Sequence, residues 1–424
     1  MTCSVGKKDI LQRIETVWPL SRIQSLQVLG EQAAAQGAEL YLVGGVVRDL
    51  FLARPSEDWD LALDGDLELF LDTLERLGYR LRKRSLFGTA SLVDAEGLRW
   101  DLAHCRGERY ARPGALPEVF PADIHSDLYR RDFRCNAMAL ALSPESFGTL
   151  LDPFGGLDDI DRGVLEVLHA KSFQDDPTRV LRGLRFSLRF NFSLGTDAKK
   201  QLQVLLAADG FANVSGTRLF REIQMLLALP NLAFNLQQMA CWGLATLLPP
   251  LQSPPGDLWP ALQRLEAALE QYQQAFSESL PQPEAVLLLL AALSPPPLRE
   301  ECWQHWQWRG DKRWQRDLAS LPAKLPGPDA AAQARYWQNW TPAGILCALA
   351  LQEEPELTAS AWQYLRRWRW QKVPVDGQDL LAWGIAPGPE LGSLLTTLQN
   401  AVWNGAFDDK DGARRWLKQQ NLLP

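Results

Sequence analysis

Residues 41–66 read YLVGGVVRDLFLARPSEDWDLALDGD, and the reading of this stretch decides the fold. An apolar run over 40–43 breaks at Gly44-Gly45, restarts as a short helical pattern over 46–52, turns at Pro55 and ends in an alternating run over 58–63. That pattern predicts strand, glycine turn, helix, strand. The glycine pair lets a backbone come close to a ligand at a helix N-terminus, where free N–H groups suit phosphate oxygens. Asp58 and Asp60 stand two apart on the second strand, so both carboxylates project to one face and repel each other unless a cation intervenes. Hard oxygen ligands of this kind suit Mg²⁺.

The combination GGxVRDxxL followed by DxD on the next strand resembles the opening motif of the class II tRNA nucleotidyltransferases and bacterial poly(A) polymerases, members of the polymerase-β-like superfamily. DxD alone specifies little, because acidic pairs are common on protein surfaces. The resemblance implies an α+β fold in four parts. A nucleotidyltransferase head of mixed β-sheet and helices would span 1–160, a neck of nucleotide- and RNA-binding helices 161–250, a helical body 251–372 and a helical tRNA-binding tail 373–424.

At 424 residues the chain is too long for one ordinary core, in keeping with several domains. It has no long uninterrupted apolar span and no charged-then-apolar leader, which predicts a soluble, unprocessed chain with no membrane partner. Six cysteines are scattered without CxxC or paired spacing, arguing for reduced thiols, a cytoplasmic location and no zinc site. The formal net charge of −7 would not by itself suggest a nucleic-acid partner. Basic residues nevertheless cluster, as Arg80, Arg82, Lys83 and Arg84 and again as Arg179, Arg182, Arg185 and Arg189, and local field outweighs the sum in binding a polyanion.

Around the opening motif the sequence predicts a helical lead-in over 10–36 and an amphipathic helix over 66–78, with Leu67, Phe70, Leu71, Leu74 and Leu77 on one face. Strands are expected over 79–85, 89–94 and 98–103. The last carries Asp101, and FGTA (87–90), Asp101 and Arg106 follow the family order, which implies that Asp101 is the third carboxylate facing the DxD pair. Residues 106–127 read as loop, punctuated by Pro113, Gly114, Pro117 and Pro121. In the family this region holds a loop that takes part in switching between nucleotides.

Residues 130–139, RRDFRCNAMA, resemble the family's RRDFTINAxA, with Arg134 and Cys135 in place of Thr and Ile. Phe133, Cys135, Ala137 and Ala139 are expected to alternate on a strand entering the core. Arg131 offers a planar fork for phosphate, and Asp132 an acceptor for a ribose hydroxyl. DPFGGLDD (152–159) reads as the connector that ends the head.

Residues 172–190, SFQDDPTRVLRGLRFSLRF, combine a helix-capping Asp175 or Asp176 with Pro177 in the first turn. Arg179, Arg182, Arg185 and Arg189 then recur along one helical face, where they repel each other unless something negative sits against them. The segment resembles the family's EDPxRxxRxxRF, in which the Asp and first Arg read the base edges of C and A. The carry-over falls on Asp176 and Arg179, with Asp175 one methylene shorter than the usual Glu. A carboxylate acceptor beside a guanidinium donor complements the amino group and ring nitrogen of either base.

Further helices are expected over 197–208, 216–229 and 232–248, with Arg218 and Glu222 as an i,i+4 structural pair on a helix bracing the preceding one. Beyond 249–255 tryptophans become frequent, among them Trp303, Trp306, Trp308, Trp314, Trp337, Trp340, Trp362, Trp368 and Trp370. Near Arg309, Arg366, Arg367 and Arg369 some could stack on RNA bases, but helix-packing core is the expected role. Residues 250–370 carry almost no family match. Residues 373–401 resemble the family's GxDLxxxGxxPGPxxGxxL, with Gly377 and Gly384 ending turns, 387–389 an elbow, and Leu391, Leu394, Leu395 and Leu398 a helix face. Four histidines and no adjacent His-Asp pair argue against a phosphohydrolase HD domain.

The resemblance thus implies an enzyme that adds CCA, or its CC or terminal A part, to tRNA 3′ ends from CTP and ATP, releasing pyrophosphate by two-metal phosphoryl transfer. Asp58 and Asp60 would hold Mg²⁺, Asp101 would sit near the RNA 3′-hydroxyl, and Gly44, Gly45, Arg48, Arg131, Arg182 and Arg185 would surround the phosphates. A poly(A) polymerase shares the head motifs but not the PGP-containing tail. A silent RNA-binding protein of the same fold would have no need of the acidic pair.

Overall fold

The computed structural model describes residues 6–56, 58–85, 88–279, 282–306 and 312–423. Phe87, Trp308 and Arg309 lie outside the described residues. The chain divides into two compact units, Met1–Glu222 and Ile223–Pro424.

The first unit is built on a mixed sheet. Its strands are β1 (Glu39–Val43), β2 (Asp60–Asp64), β3 (Arg80–Ser85), β4 (Thr89–Val93) and β5 (Arg99–His104); after the hairpin β6 (Arg106–Arg109) and β7 (Glu118–Pro121) come β8 (Ala139–Ala141) and β9 (Leu150–Leu151). The sheet order is β3-β4-β5-β2-β1-β8-β9. Only β2 and β5 run parallel, in the register Asp60↔Asp101, while the other neighbours are antiparallel. The lead-in forms two helices, α1 (Lys7–Val17) and α2 (Leu20–Ala35), because Pro19 interrupts the backbone hydrogen bonding between them. Between β1 and β2 lies α3 (Gly45–Phe51), and α4 (Leu67–Arg76) follows, capped by Asp66 and burying Leu67, Phe70, Leu71 and Leu74.

Trp59 explains how the acidic pair is aimed. It lies between Asp58 and Asp60 in sequence and is buried edge-to-face between Trp18 and Trp100, with ring centroids 5.2 and 5.9 Å away. The Arg22 guanidinium caps both Trp59 and Trp100 at 4.8 and 4.4 Å. Aromatic pairs of this kind contribute about 1 kcal/mol each beyond area burial. With Trp59 locked into the core, the alternation of the chain turns its acidic neighbours to the opposite side.

Two expectations for this unit need correction. Residues 106–127 are not all loop, since β6 and β7 form a hairpin and Ile124–Tyr129 is a helix, α5. Four-residue strands around Gly107 and ending at Pro121 carry too few alternations for their period to show. Residues 134–136 form a 3-10 turn rather than strand, and pairing begins only at Ala139. The four residues expected inside, Phe133, Cys135, Ala137 and Ala139, are all buried.

The unit ends in helices α6 (Gly156–Arg162), α7 (Ser172–Asp175), α8 (Thr178–Phe190), α9 (Thr196–Ala207) and α10 (Gly216–Leu227), the last running past the unit boundary.

The second unit is helical throughout its described residues. Pro342–Leu351 is apolar all round and buried, the signature of a central helix, and packs against Leu258–Ala275 and Gln282–Leu293. The helix expected over 232–248 stops at Cys241, before Gly243 in the left-handed region. Trp314, Trp337, Trp340, Trp362 and Trp368 are buried, while Trp370 is 59% exposed. In the tail, Gly377 opens a helix behind the Asp376 capping box instead of ending a turn, whereas Gly384 does sit in a left-handed turn. Leu398 is core there, with Leu391, Leu394 and Leu395 partly buried against it. Among the described residues no helix is long and apolar enough to cross a membrane.

Candidate active site

A cavity of about 420 Å³ opens on the sheet face that carries Asp60 and Asp101. Its walls include Lys83, Arg99, Arg106, Arg130 and Arg131, so an acidic floor is set among cations. Burial pushes the Asp60 carboxyl up to about 6, with Asp101 and Asp58 pushing the same way against the Arg131 guanidinium. A second positive charge near Asp60 would relieve that strain. Asp58 precedes the strand and is exposed, although pairing already starts at Trp59, whose carbonyl accepts from Asp101 N at 3.0 Å. Among the described residues no three acidic, His or Cys side chains are gathered into a ready-made metal cage. The oxygen-only donor set of Asp58, Asp60 and Asp101 fits a hard divalent cation.

Gly44 is where the sequence needs a glycine. It has φ 78° and ψ −133°, and a Cβ placed there would lie 2.6 Å from a terminal nitrogen of Arg131 and 3.8 Å from Asp60 Oδ2. The absent side chain lets the Arg131 fork lie against the turn beside the acidic floor. Buried Asp127 anchors that fork, accepting from Arg131 at 2.8 Å and from Arg130 at 2.7 and 3.1 Å. Burial alone would raise the Asp127 carboxyl, but Arg131 and Arg130 outweigh it and hold it below the usual range. Arg131 Nε is buried with no hydrogen-bond partner among the described residues.

Arg130 continues the chain of contacts. It donates to Glu108 at 3.0 Å, Tyr110 donates to Glu108 at 2.9 Å, and Arg179 reaches the Tyr110 hydroxyl at 3.4 Å. Arg179 is buried and also donates to Ser172 Oγ and to the Arg130 carbonyl, both at 2.7 Å. Its bracing comes from Ser172 and the β6–β7 hairpin, not from Asp175, which instead stands 3.9 Å from His169. Asp176 Oδ1 accepts from Thr178 N, Thr178 Oγ1 and Arg218, at 3.0, 2.6 and 2.8 Å. Oδ2 has no protein donor among the described residues, leaving one oxygen of a fixed carboxylate available.

Other residues singled out from the sequence are engaged elsewhere. Arg48 is buried, hydrogen-bonded to Asp49 and to Asn136 Oδ1 at 2.6 Å, and stacked 4.3 Å from the Phe190 ring centroid. It is not among the residues lining the cavity. Asp132 spends Oδ1 on Phe133 N and Asn136, each at 2.9 Å, and Oδ2 on Arg182 at 2.6 and 2.8 Å. Four donors fill its acceptor sites, leaving none for a ribose hydroxyl. Burial would raise this carboxyl, but Arg182 and Asn136 bring it down to about 2. Arg185 pairs with Glu222 at 3.2 Å, so the expected Arg218–Glu222 pair is replaced by Arg218–Asp176 and Arg185–Glu222.

Sequence reasoning passed over Asp127, Glu108 and Tyr110. For Asp127 a signal existed: it precedes Arg130 and Arg131 by three and four residues, the spacing that brings side chains together on a helix. For Glu108 and Tyr110 nothing local pointed to Arg179, some 70 residues on.

The model of the poly A polymerase head domain matches residues 40–166. The chain is 43% identical over 210 residues to the A-adding tRNA nucleotidyltransferase of Halalkalibacterium halodurans, covering 48% of each chain. The A-adding relatives from that organism and from Geobacter sulfurreducens are thus spanned over about half their length, 48% in each case. It is 30% identical to the CC-adding tRNA nucleotidyltransferase of Deinococcus radiodurans over 95% of this chain and 96% of that one. A solved apo CCA-adding enzyme superposes with a TM-score of 0.78 at 26% identity, covering 97% and 98% of the two chains.

Proposed function

Because the chain belongs to the tRNA nucleotidyltransferase family, we propose that it transfers nucleotides from CTP or ATP to the 3′ end of tRNA, adding CCA or its CC or A part and releasing pyrophosphate. The observation that carries this reading is the parallel register Asp60↔Asp101 on the floor of a cavity whose wall holds the anchored Arg131 fork. Acidic oxygens for a cation and a fixed donor for phosphate meet on one sheet face.

Asp58 and Asp60 would hold Mg²⁺, with Asp101 beside them. When bound, the ion supplies charge neutralisation at the triphosphate and acidifies the attacking hydroxyl. The protein's own part is positioning. Asp101 faces the incoming 3′-hydroxyl as a proton-accepting neighbour. Arg131, held by Asp127, orients the phosphates so that the 3′-oxygen attacks the α-phosphorus opposite the departing pyrophosphate. The available Asp176 oxygen accepts from the amino group of C or A, and Arg179, fixed by Ser172 and Tyr110, donates to the ring nitrogen, whereas G and U present the reversed pattern. Arg182 and Arg48 serve this arrangement from beneath, through Asp132 and Asn136. The tail over 373–424 would contact tRNA away from the reacting end.

Labelled CTP and ATP, offered with Mg²⁺ to tRNA transcripts ending at the discriminator base, in -C and in -CC, test the reading and divide its three forms. No incorporation on any of the three would overturn it.

A further inference from the structure

The cavity has two cationic sides, and only one is explained by the nucleotide. Arg131 and Gly44 lie on the β1 side of Asp60. Across the sheet in the other direction, the register runs Asp60↔Asp101↔Ser91↔Lys83, through β5 and β4 to the edge strand β3. These four residues all line the cavity. Two strand spacings, about 10 Å, separate Lys83 from Asp101. Lys83 is exposed and has no hydrogen-bond or ion-pair partner among the described residues, while its neighbour Arg84 is tied to Glu68. Arg99 shares the Asp101 face two residues earlier, touches that carboxylate at 3.2 Å and leaves 69% of its side chain exposed.

We infer that Lys83 and Arg99, with the Ser91 hydroxyl between strands, form the seat of the phosphodiester that precedes the RNA 3′-hydroxyl. This rests on the function proposed above and adds the residues that hold its acceptor strand. Distance and strand order separate the two cationic sides. Lys83 on β3 lies four strand spacings, roughly 19 Å, from β1, farther than a triphosphate held at Arg131 extends. An RNA strand whose 3′-oxygen stops at Asp101 must lead away from Arg131, over β4 and β3, and its first phosphate then meets Lys83 and Arg99. Arg80 and Arg82, exposed on the same edge strand, add positive charge along that edge. Basic residues on an edge strand also discourage sheet extension, but that role does not require Lys83 to line a cavity.

The test is equilibrium binding, which does not depend on turnover. A fluorescent acceptor-stem minihelix ending in CC is titrated at several salt concentrations with wild type, Lys83→Ala, Lys83→Glu, Lys83→Arg and Arg99→Ala, and CTP and ATP affinities are measured alongside. Lys83→Ala is expected to weaken the minihelix about fivefold to tenfold and to reduce the magnitude of the log Kd against log salt slope by about 0.7, one phosphate contact to a single strand. Lys83→Glu should weaken it further, Lys83→Arg should keep most of it, and nucleotide affinity should stay within about twofold by the same charge argument. An unchanged minihelix affinity, or a loss confined to CTP and ATP, overturns the inference. A wild type that binds the minihelix but transfers nothing overturns the proposed function while leaving the Lys83 comparison readable.

Discussion

Arg218 donates to the Asp176 carboxylate at 2.8 Å and, through its other terminal nitrogen, to the Gly114 carbonyl at 3.0 Å. One guanidinium therefore fixes the proposed base-reading carboxylate and ties it to the turn after the β6 strand, where Gly114 is buried at φ 73° and its N–H donates to the Asp175 carbonyl at 3.2 Å. Arg218→Ala should cut kcat/KM for CTP or ATP about 10-fold to 100-fold, the loss of one or two charge-assisted hydrogen bonds, and should raise misincorporation of UTP. Arg218→Lys should recover part of the rate but little of the selectivity, since a point charge cannot hold both partners in the same plane. If selectivity is untouched in both variants, Arg218 only braces the fold.

Asp58→Ala and Asp60→Ala should each abolish transfer and leave tRNA affinity nearly intact. Asp60 lines the cavity and Asp58 is exposed just before the strand, while the opposite face is held by Trp59, so the fold does not depend on either carboxylate. Filter binding of tRNA beside a transfer assay separates the two effects. Transfer near the wild-type rate in either variant would remove the metal assignment.

The sheet was legible because breakers and period agreed. Gly44-Gly45 and Pro55 bracket runs whose alternation fixes the face of Asp60, and β2 and β3 to β5 fall within a residue or two of the expected spans. What the sequence hides is which of several arginines turns inward. Arg48 sits in the most recognisable motif of the chain, yet it stacks on Phe186 and Phe190, about 140 residues later. Arg218 and Glu222 have ideal spacing for a helical pair, but such pairs contribute only about 0.2–0.5 kcal/mol, and half-buried Asp176 and Arg185 each need a partner more. Local spacing offers candidates; long-range burial chooses among them.

Asp127→Asn tests the anchor of the phosphate fork. The variant would leave Arg130 and Arg131 without the carboxylate that both share, and breaking a buried pair by removing one partner costs about 3–5 kcal/mol. Urea unfolding should show a lower midpoint at an unchanged slope. In the still-folded fraction, KM for the nucleotide should rise more than KM for tRNA, because Arg131 is the donor set loose.

Asp132 supplies a pH dependence with a definite sign. Its folded-state value of about 2 lies below the ordinary 3.8, so it contributes stability that is complete above about pH 4 and lost as pH falls through about 2. The shift corresponds to roughly 2 kcal/mol. Wild type should therefore exceed Asp132→Asn in unfolding free energy by about that amount near neutrality. The gap should narrow steadily between about pH 4 and pH 2. A gap independent of pH would mean that packing around Asn136, not the Arg182 ion pair, carries the difference.

The tail is best tested by charge rather than by truncation. A cut at 373 would remove Trp403, whose indole donates to the Trp368 carbonyl at 3.1 Å, and Asn404, which accepts from Ala331 N at 2.9 Å, so lost activity could reflect a damaged helical core. The last helix, Lys410–Gln419, offers a cleaner handle. It buries Ala413 and Leu417 on one face and exposes Arg414, Arg415 and Lys418 on the other. Substituting those three by Ala leaves Ala413 and Leu417 in place and gives up one packing contact, that of Arg414 over the Trp383 ring at 5.7 Å, so thermal stability should fall only slightly. If the tail grips tRNA away from the reacting end, KM for full-length tRNA should rise about tenfold or more at moderate salt, with a shallower salt dependence. KM for an acceptor-stem minihelix should barely move, because the minihelix lacks the distant contact. Binding lost equally from ground and transition states appears in KM and leaves kcat alone, so kcat should be unchanged on both substrates. Equal rises on tRNA and minihelix would instead bring the basic face of this helix to the acceptor stem itself.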